Sequence, residues 1–274
     1  MTLSVVIITH NEEANLGRTL ESVRALVSGG KGEIIVVDSG STDRTVEIAK
    51  SFGAKVFVEE WKGFAAQKNS AIDKASGDWI LSLDADEEVS TGMREFLMLA
   101  LFGKHRDEFA DFRGGMIFSR RNCFLGRRIR HGGFYPDPKL RLFRRDSARF
   151  EDRAVHEDLQ LIQGMEYRPS LYYEMGDPIE IIHHSYPTLS DYIEHTNRYS
   201  SLGAEMVVAK GKVRFSIVNI VLRPLATFIY NYFFRLGFLD GREGLLLHLY
   251  HAVYVSWKYA KAWELSRKQP TPLQ

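Results

Sequence analysis

The 274-residue chain has a single cysteine, Cys123, so no internal disulfide can form, and a reducing compartment is expected. No basic segment precedes the apolar run that begins at Leu3, and no signal peptide is expected. There is no Gly-x-Gly-x-x-Gly and no Gly-Lys-Ser/Thr, which excludes a Rossmann dinucleotide fingerprint and a P-loop. Repeats and low-complexity tracts are absent too, so fibrous and linker-like classes drop out. Net charge is nearly absent, at +1, and says little about partners. What remains is 45% hydrophobic and 26% charged residues, ample for one large domain or a domain with an appendage.

The first ninety residues alternate strand and helix signals. Leu3–Ile8, Ile34–Val37, Lys55–Val58 and Trp79–Leu83 read as strands, the longer ones as β-branched runs buried on both faces. Helices fall between them: Asn11–Val27, a segment capped by Ser41-Thr42-Asp43 and running to about Phe52, and Phe64–Ala75. That alternation implies right-handed crossovers and an α/β domain with a mostly parallel sheet and helices on both faces. Short strands at Met116–Phe118, Arg127–Arg130 and Lys139–Phe143 extend the sheet and close over a site. From Asp191 the pattern is helical to the end. Expected divisions are 1–113, 114–188 and a helical, membrane-associated appendage at 189–274.

Charge is unevenly placed. Arg113 to Arg153 holds twelve Lys and Arg against Asp137, Asp146, Glu151 and Asp152, a field that attracts phosphate or anionic head groups unless the arginines pair locally. Two apolar stretches follow, Phe215–Leu236 and Leu245–Trp263. The first has the length of a membrane span, but Arg223-Pro224 interrupts it and Asn219, Asn231 and Arg235 add polarity. Flanking basic and aromatic residues suit amphipathic helices at a membrane surface. A buried hairpin or a partner subunit is the alternative, so a homo-oligomer stays open.

The acids at predicted strand ends carry the most information. Asp38 closes the second strand, Asp84 the fourth, Asp86 follows, and Glu12 lies just past the first. Ligands of open α/β sheets bind outside the carboxyl ends of the strands, where the strand order switches. If the first and fourth strands are neighbours, these acids share one crevice. Asp84 and Asp86, two apart, repel unless a proton or a cation neutralises them; oxygen ligands favour Mn or Mg, which would hold nucleotide phosphates, and turn acids capping the next helix are the alternative.

Three segments carry a resemblance. Ser4-Val5-Val6-Ile7-Ile8-Thr9-His10-Asn11-Glu12, Ile35-Val36-Val37-Asp38-Ser39-Gly40-Ser41-Thr42-Asp43 and Trp79-Ile80-Leu81-Ser82-Leu83-Asp84-Ala85-Asp86-Glu87 resemble the motifs of family 2 glycosyltransferases. The resemblance implies a Rossmann-like GT-A fold, with 1–113 as its nucleotide-sugar-binding half and 114–188 as its acceptor-binding and catalytic half, a nucleotide-sugar donor and inversion at the anomeric centre. Arg141-Leu142-Phe143-Arg144-Arg145 and Val155-His156-Glu157 resemble, more loosely, bacterial lipopolysaccharide-core β-glucosyltransferases.

Carried over by position, the resemblance puts Thr9, Asn11, Glu12, Asp38, Gly40, Lys68 of Lys68-Asn69, Asp84 and Ala85 at the nucleotide. Asp86 becomes the direct metal ligand, with Asp84 toward ribose or a metal-bound water. The catalytic base falls on Glu157, with Asp158 next and Glu151-Asp152 the remaining acidic pair; Glu157 taken alone would equally suit a helix N-terminus. Arg141, Arg144, Arg145, His156 and His184 are the candidate acceptor-binding residues, and a histidine of His183-His184 would hold metal or diphosphate.

The implied protein is a cytoplasmic inverting glycosyltransferase, peripheral at the inner face of the membrane. It moves a hexose, glucose from UDP-glucose, to a lipopolysaccharide-core or lipid-linked saccharide. Its expected partners are a UDP-hexose, an anionic glycolipid and a membrane surface, without nucleic acid. Transfer to polyprenyl phosphate is the nearby alternative and a non-catalytic nucleotide-binding scaffold the distant one. A nucleotidyltransferase also wants paired metal carboxylates, but no Arg- or Lys-rich glycine loop follows the first strand.

Overall fold

A computed structural model describes residues 1–151, 158–169, 177–211 and 213–268. The chain forms two compact units, one of Met1–Arg121 with Asp137–His183, the other of Asn122–Pro136 with His184–Gln274.

The first unit opens as the sequence implies. Strands β1 (Leu3–Thr9), β2 (Gly32–Asp38), β3 (Lys55–Val58) and β4 (Trp79–Asp84) lie parallel in the order β3-β2-β1-β4. Helices α1 (Leu16–Val27), α2 (Thr45–Ser51) and α3 (Phe64–Asp73) make the crossovers. Strand alternation divides the core in two. Val5, Ile7, Val36 and Leu81 face one side and pack with Leu20 and Val23 of α1 and Phe96 of α4 (Thr91–Phe102). Val6, Ile35, Val37 and Ile80 face the other, with Ala71 and Ile72 of α3. Helices therefore cover both faces, and almost every side chain of β1, β2 and β4 is buried.

Beyond β4 the sheet turns antiparallel. After β5 (Glu87–Val89) and the short α5 (Arg106–Ala110) come β6 (Gly114–Phe124), β7 (Arg127–Arg128) and β8 (Asp137–Arg144), with β8 inserted between β4 and β6. β9 (Ala148–Glu151) and β10 (Asp158–Leu161) form a separate two-stranded sheet. β11 (Glu166–Pro169) joins β6, and β12 (Glu180–Tyr186) pairs with β5.

Two segments depart from their sequence patterns. The first helix starts at Leu16 rather than Asn11, because the backbone N–H groups of Asn11, Glu12 and Glu13 donate to side chains after β2 instead of joining the helix. The strand expected at Arg127–Arg130 stops at Arg128, because the N–H groups of Arg130 and His131 turn to the Asp240 carboxylate.

In the second unit α6 (Leu189–Ala209) begins in a reciprocal cap, Thr188 with Asp191, and packs along α8 (Gly241–Lys268). Lys261 of α8 reaches Asn197, Ser200 and Ser201 of α6. Between them residues 218–234 are helical: a π-helical turn at Val218–Leu222, α7 (Arg223–Ile229), and a second π-helical turn at Tyr230–Phe234. Among the described residues no helix is long and apolar enough to cross a membrane.

Candidate active site

Because β1 pairs with both β2 and β4, the strand order reverses at β1, and the carboxyl ends of three strands open on one crevice. Thr9 lies opposite Asp38, and Ile8 opposite Asp84. The rim is built by two loops fastened to each other. Asp38 is wholly buried and accepts from Thr9 Oγ1 at 2.8 Å and from the N–H groups of Gly40 and Ser41 at 3.0 and 2.8 Å. Gly40 has φ +82°, a conformation that suits glycine. Asn11 Oδ1 accepts from Thr42 N at 2.8 Å, and Glu12 N donates to Thr45 Oγ1 at 2.7 Å. Ser39 Oγ is buried at this rim and has no hydrogen-bond partner among the described residues.

The acids of the crevice hold different partners. Asp84 Oδ1 meets Lys68 Nζ at 2.7 Å and its Oδ2 meets Arg141 Nη2 at 2.8 Å. Burial opposes ionisation of Asp84, but Lys68 and Arg141 outweigh it and hold the carboxyl well below the usual carboxylate range. Ala85 and Asp86 form a turn into β5 rather than continuing an extended strand, with the Ala85 carbonyl accepting from Thr19 Oγ1 at 2.6 Å. Asp86 is thereby carried away from Lys68 and Arg141 to His183, with Oδ2 to Nε2 at 3.1 Å. Burial raises its pKa, and the neighbouring His183 more than reverses the effect. Glu12 is pushed upward, first by burial and then by the nearby charges of Asp86, Asp43 and Asp84, against a hydrogen bond from Asn15.

Glu87 is a centre that the sequence did not single out. It is fully buried, accepts from Asp84 N at 3.0 Å, and pairs with Arg141 at 2.6 Å and Arg120 at 3.3 Å. Arg120 continues to Asp137 at 2.7 Å. The basic middle segment thus supplies counter-ions to acids far away in sequence, as the buried pair Arg121–Glu180 at 2.8 Å also shows.

Arg141, Arg144 and Arg145 do not form one cluster. Alternation along β8 sends Arg141 and Arg144 to opposite faces. Arg141 is buried among the acids, whereas Arg144 lies over the Trp79 ring at 5.0 Å and donates to the carbonyls of Phe109, Ala110 and Phe112; Arg145 is exposed. Of the adjacent histidines, His183 stands opposite Glu87 in the β5–β12 register and meets Asp86, whereas His184 begins the second unit. Adjacent in sequence and alike in chemistry, the two are told apart only by the strand pairing.

Glu157 and His156 lie outside the described residues, as does Asp152. Their flanks are described: Asp158 is exposed at the start of β10, opposite Glu151 at the end of β9. This hairpin is tied to α3 by Asn69, whose Oδ1 accepts from Phe150 N at 3.0 Å while its Nδ2 donates to Phe150 O at 2.9 Å. Lys68, the preceding residue, lies 5.1 Å from the Phe150 ring centroid. Lys68-Asn69 therefore links the crevice acid Asp84 to the strand that leads into 152–157. Asn69→Ala removes both hydrogen bonds, and we expect turnover to fall at least about tenfold if the hairpin carries the base, with nucleotide affinity within about twofold of wild type. Steady-state kinetics beside a nucleotide titration checks this; equal losses in both would assign Asn69 to binding.

Asp86 and His183 place a carboxylate, the donor type that suits Mn or Mg, beside an imidazole nitrogen. Asp84, with a cation on each oxygen, is placed to act through its charge. Among the described residues no group of three or more His, Cys, Asp or Glu side chains is arranged to hold a metal. The rest of a coordination shell would fall to phosphate and water, which is usual for Mg.

The chain matches the family model described as Glycosyl transferase family 2 over residues 4–150. It is 30% identical over 270 residues to an uncharacterised glycosyltransferase of Rickettsia typhi, covering 97% of this chain and 88% of that protein. It is 29% identical over 270 residues to the lipopolysaccharide core biosynthesis glycosyltransferase LpsC of Rhizobium meliloti, covering 96% and 93%. Among solved structures it is similar to TarS of S. aureus in complex with UDP, at 17% identity and TM-score 0.46 over 98% of this chain and 92% of that one. It is also similar to glucosyl-3-phosphoglycerate synthase of Mycobacterium tuberculosis in complex with Mn2+, UDP and glucosyl-3-phosphoglycerate, at 26% identity and TM-score 0.34 over 44% of each chain.

Proposed function

The chain belongs to glycosyltransferase family 2, and from that premise we propose that it transfers glucose from UDP-glucose, with inversion, to a saccharide of the lipopolysaccharide core or of a lipid-linked acceptor. The observation that carries this reading is the split pair at the crevice, Asp84 between Lys68 and Arg141 and Asp86 beside His183. The likeness to LpsC supports the acceptor class. The reading places the enzyme in the cytoplasm, at the inner face of the membrane.

Thr9, Asn11, Glu12, Asp38 and Gly40 form or brace the rim that receives the nucleoside, and Lys68 and Asp84 set the charge beside it. A divalent Mn or Mg ion on Asp86 and His183 supplies positive charge to the departing diphosphate when bound. The acceptor hydroxyl oxygen bonds to the anomeric carbon as the bond from that carbon to UDP breaks. The hydroxyl proton goes to the base, for which we propose Glu157 with Asp158 as the alternative, and the electron pair leaves on the β-phosphate oxygen.

A sugar hydroxyl is favoured over polyprenyl phosphate as acceptor. Arg141 and Arg144 are engaged inside the protein, so a cradle of three arginines for an ionised acceptor lacks two of its members. Arg145 and His184 keep a proposed acceptor role.

The test is thermal unfolding with UDP, GDP, CDP and dTDP, each with and without Mn, followed by UDP release from UDP-glucose. UDP with Mn is expected to raise Tm most. Glu157→Gln should keep that shift while turnover falls about 10²–10⁴-fold, the usual worth of a positioned general base. Near-normal turnover would move the base to Asp158. No shift with any nucleotide, in folded protein, would favour the non-catalytic scaffold.

A further inference from the structure

We infer that the helical segment Val218–Phe234 of the second unit is a docking surface for an anionic lipid bilayer, lying in the plane of the interface. The inference deepens the membrane placement proposed above and rests on that reading, but its surface is defined by the second unit alone.

The segment has two distinct faces. One packs on α8: Pro224 is buried, the Ile220 carbonyl accepts from Ser256 Oγ at 2.8 Å, and the Tyr232 ring lies 6.1 Å from that of His248. The other face carries Val218, Leu222, Leu225, Ile229 and Phe233, spaced i, i+4, i+7, i+11 and i+15, which is one stripe of a helix. All five are 39–57% exposed, and Phe234 at its end is 74% exposed. Further exposed apolar side chains, Phe238 and Leu239, follow in the next turn. A contiguous apolar stripe of this kind marks an interaction surface.

Charge identifies the occupant. Residues 210–242 contain six basic side chains and one acid, Asp240. Lys210, Arg214, Arg223, Arg235 and Arg242 are exposed, whereas Asp240 is buried and accepts from the N–H groups of Arg130 and His131. An apolar stripe collared by cations matches an anionic bilayer, whose head groups neutralise the collar while the acyl region takes the stripe. A second copy of the chain would bring an identical collar and meet repulsion. Since no helix among the described residues is long and apolar enough to cross a membrane, this fits an in-plane helix.

The full chain is floated with vesicles of phosphatidylcholine alone and of phosphatidylcholine with phosphatidylglycerol. Binding is expected to the mixed vesicles, weakened by salt, and much less to the neutral ones. Leu225→Glu with Phe233→Glu should cut the bound fraction on the order of tenfold. Arg214→Glu should weaken only the anionic arm. In both variants the Tm shift with UDP and Mn should match wild type, which separates failure of this surface from failure of the donor site. Equal flotation of wild type and the double variant would overturn the inference. So would a lipid-free dimer that the double variant makes monomeric while wild type ignores vesicles, which would assign the stripe to a second copy.

Discussion

Asp86→Ala should erase the Mn-dependent part of UDP binding. Wild type at a hundred times its dissociation constant gains about 2.7 kcal/mol from the ligand. For a chain of this size that is several degrees of Tm, on the order of 2–4 °C per kcal/mol. Without Asp86, His183 loses the carboxylate 3.1 Å away, and the donor pair proposed for the ion is halved. The variant should show the same small shift with UDP whether or not Mn is present, and turnover should drop at least about a thousandfold. Asp84→Asn is the informative contrast. It keeps the proposed ion-binding pair but leaves Lys68 and Arg141 with less opposing charge, so it should alter the Mn-independent shift as well. An Asp86→Ala protein that still responds to Mn as wild type does would remove Asp86 from the metal.

Arg141→Met is expected to be the most destabilising single change at the site. Arg141 is 5% exposed, and its guanidinium serves two acids, Asp84 at 2.8 Å and the fully buried Glu87 at 2.6 Å. Removing one partner of a buried ion pair costs about 3–5 kcal/mol, because the charge left behind has lost both water and its counter-ion. The expected fall in Tm is roughly 6–20 °C. Combining it with Glu87→Gln should recover much of the loss, which a double-mutant cycle in thermal unfolding would read. If the single variant melts with wild type, the network contributes nothing to the fold.

Acid should act on the same network. Lys68 and Arg141 hold Asp84 below the ordinary carboxylate range, against the opposing effect of burial. Its contribution is therefore complete above that range and declines as the pH falls through it.

The parallel half of the sheet was legible because β1, β2 and β4 are apolar on both faces, as only a strand covered on both sides needs to be. The acids at their ends were legible for the same reason, since a charge that ends such a run lies at the rim. The antiparallel half hid itself. β6 runs through Ser119, Arg120, Arg121 and Asn122, a polar stretch that reads as surface until Glu87, Asp137 and Glu180 are brought to it from elsewhere in the chain. β5 has three residues, two of them acids, and becomes a strand through its pairing with β12. That pairing also decides which of two adjacent histidines meets Asp86. The proximity of three arginines in sequence misled in the opposite way, because neighbours along a strand face apart.

The two loops at the rim have a further consequence for anyone who would change what the site accepts. Asn11 meets Ser41 and Thr42, Glu12 meets Thr45, and Glu13 meets Asp43 and Arg44, so each loop is the other's template. A graft that imports one loop from a relative with another nucleotide preference brings half of a matched set. The two must be transplanted together, as a single cassette with β1 and β2 as its stems, or the newcomer will arrive without the surface that shapes it.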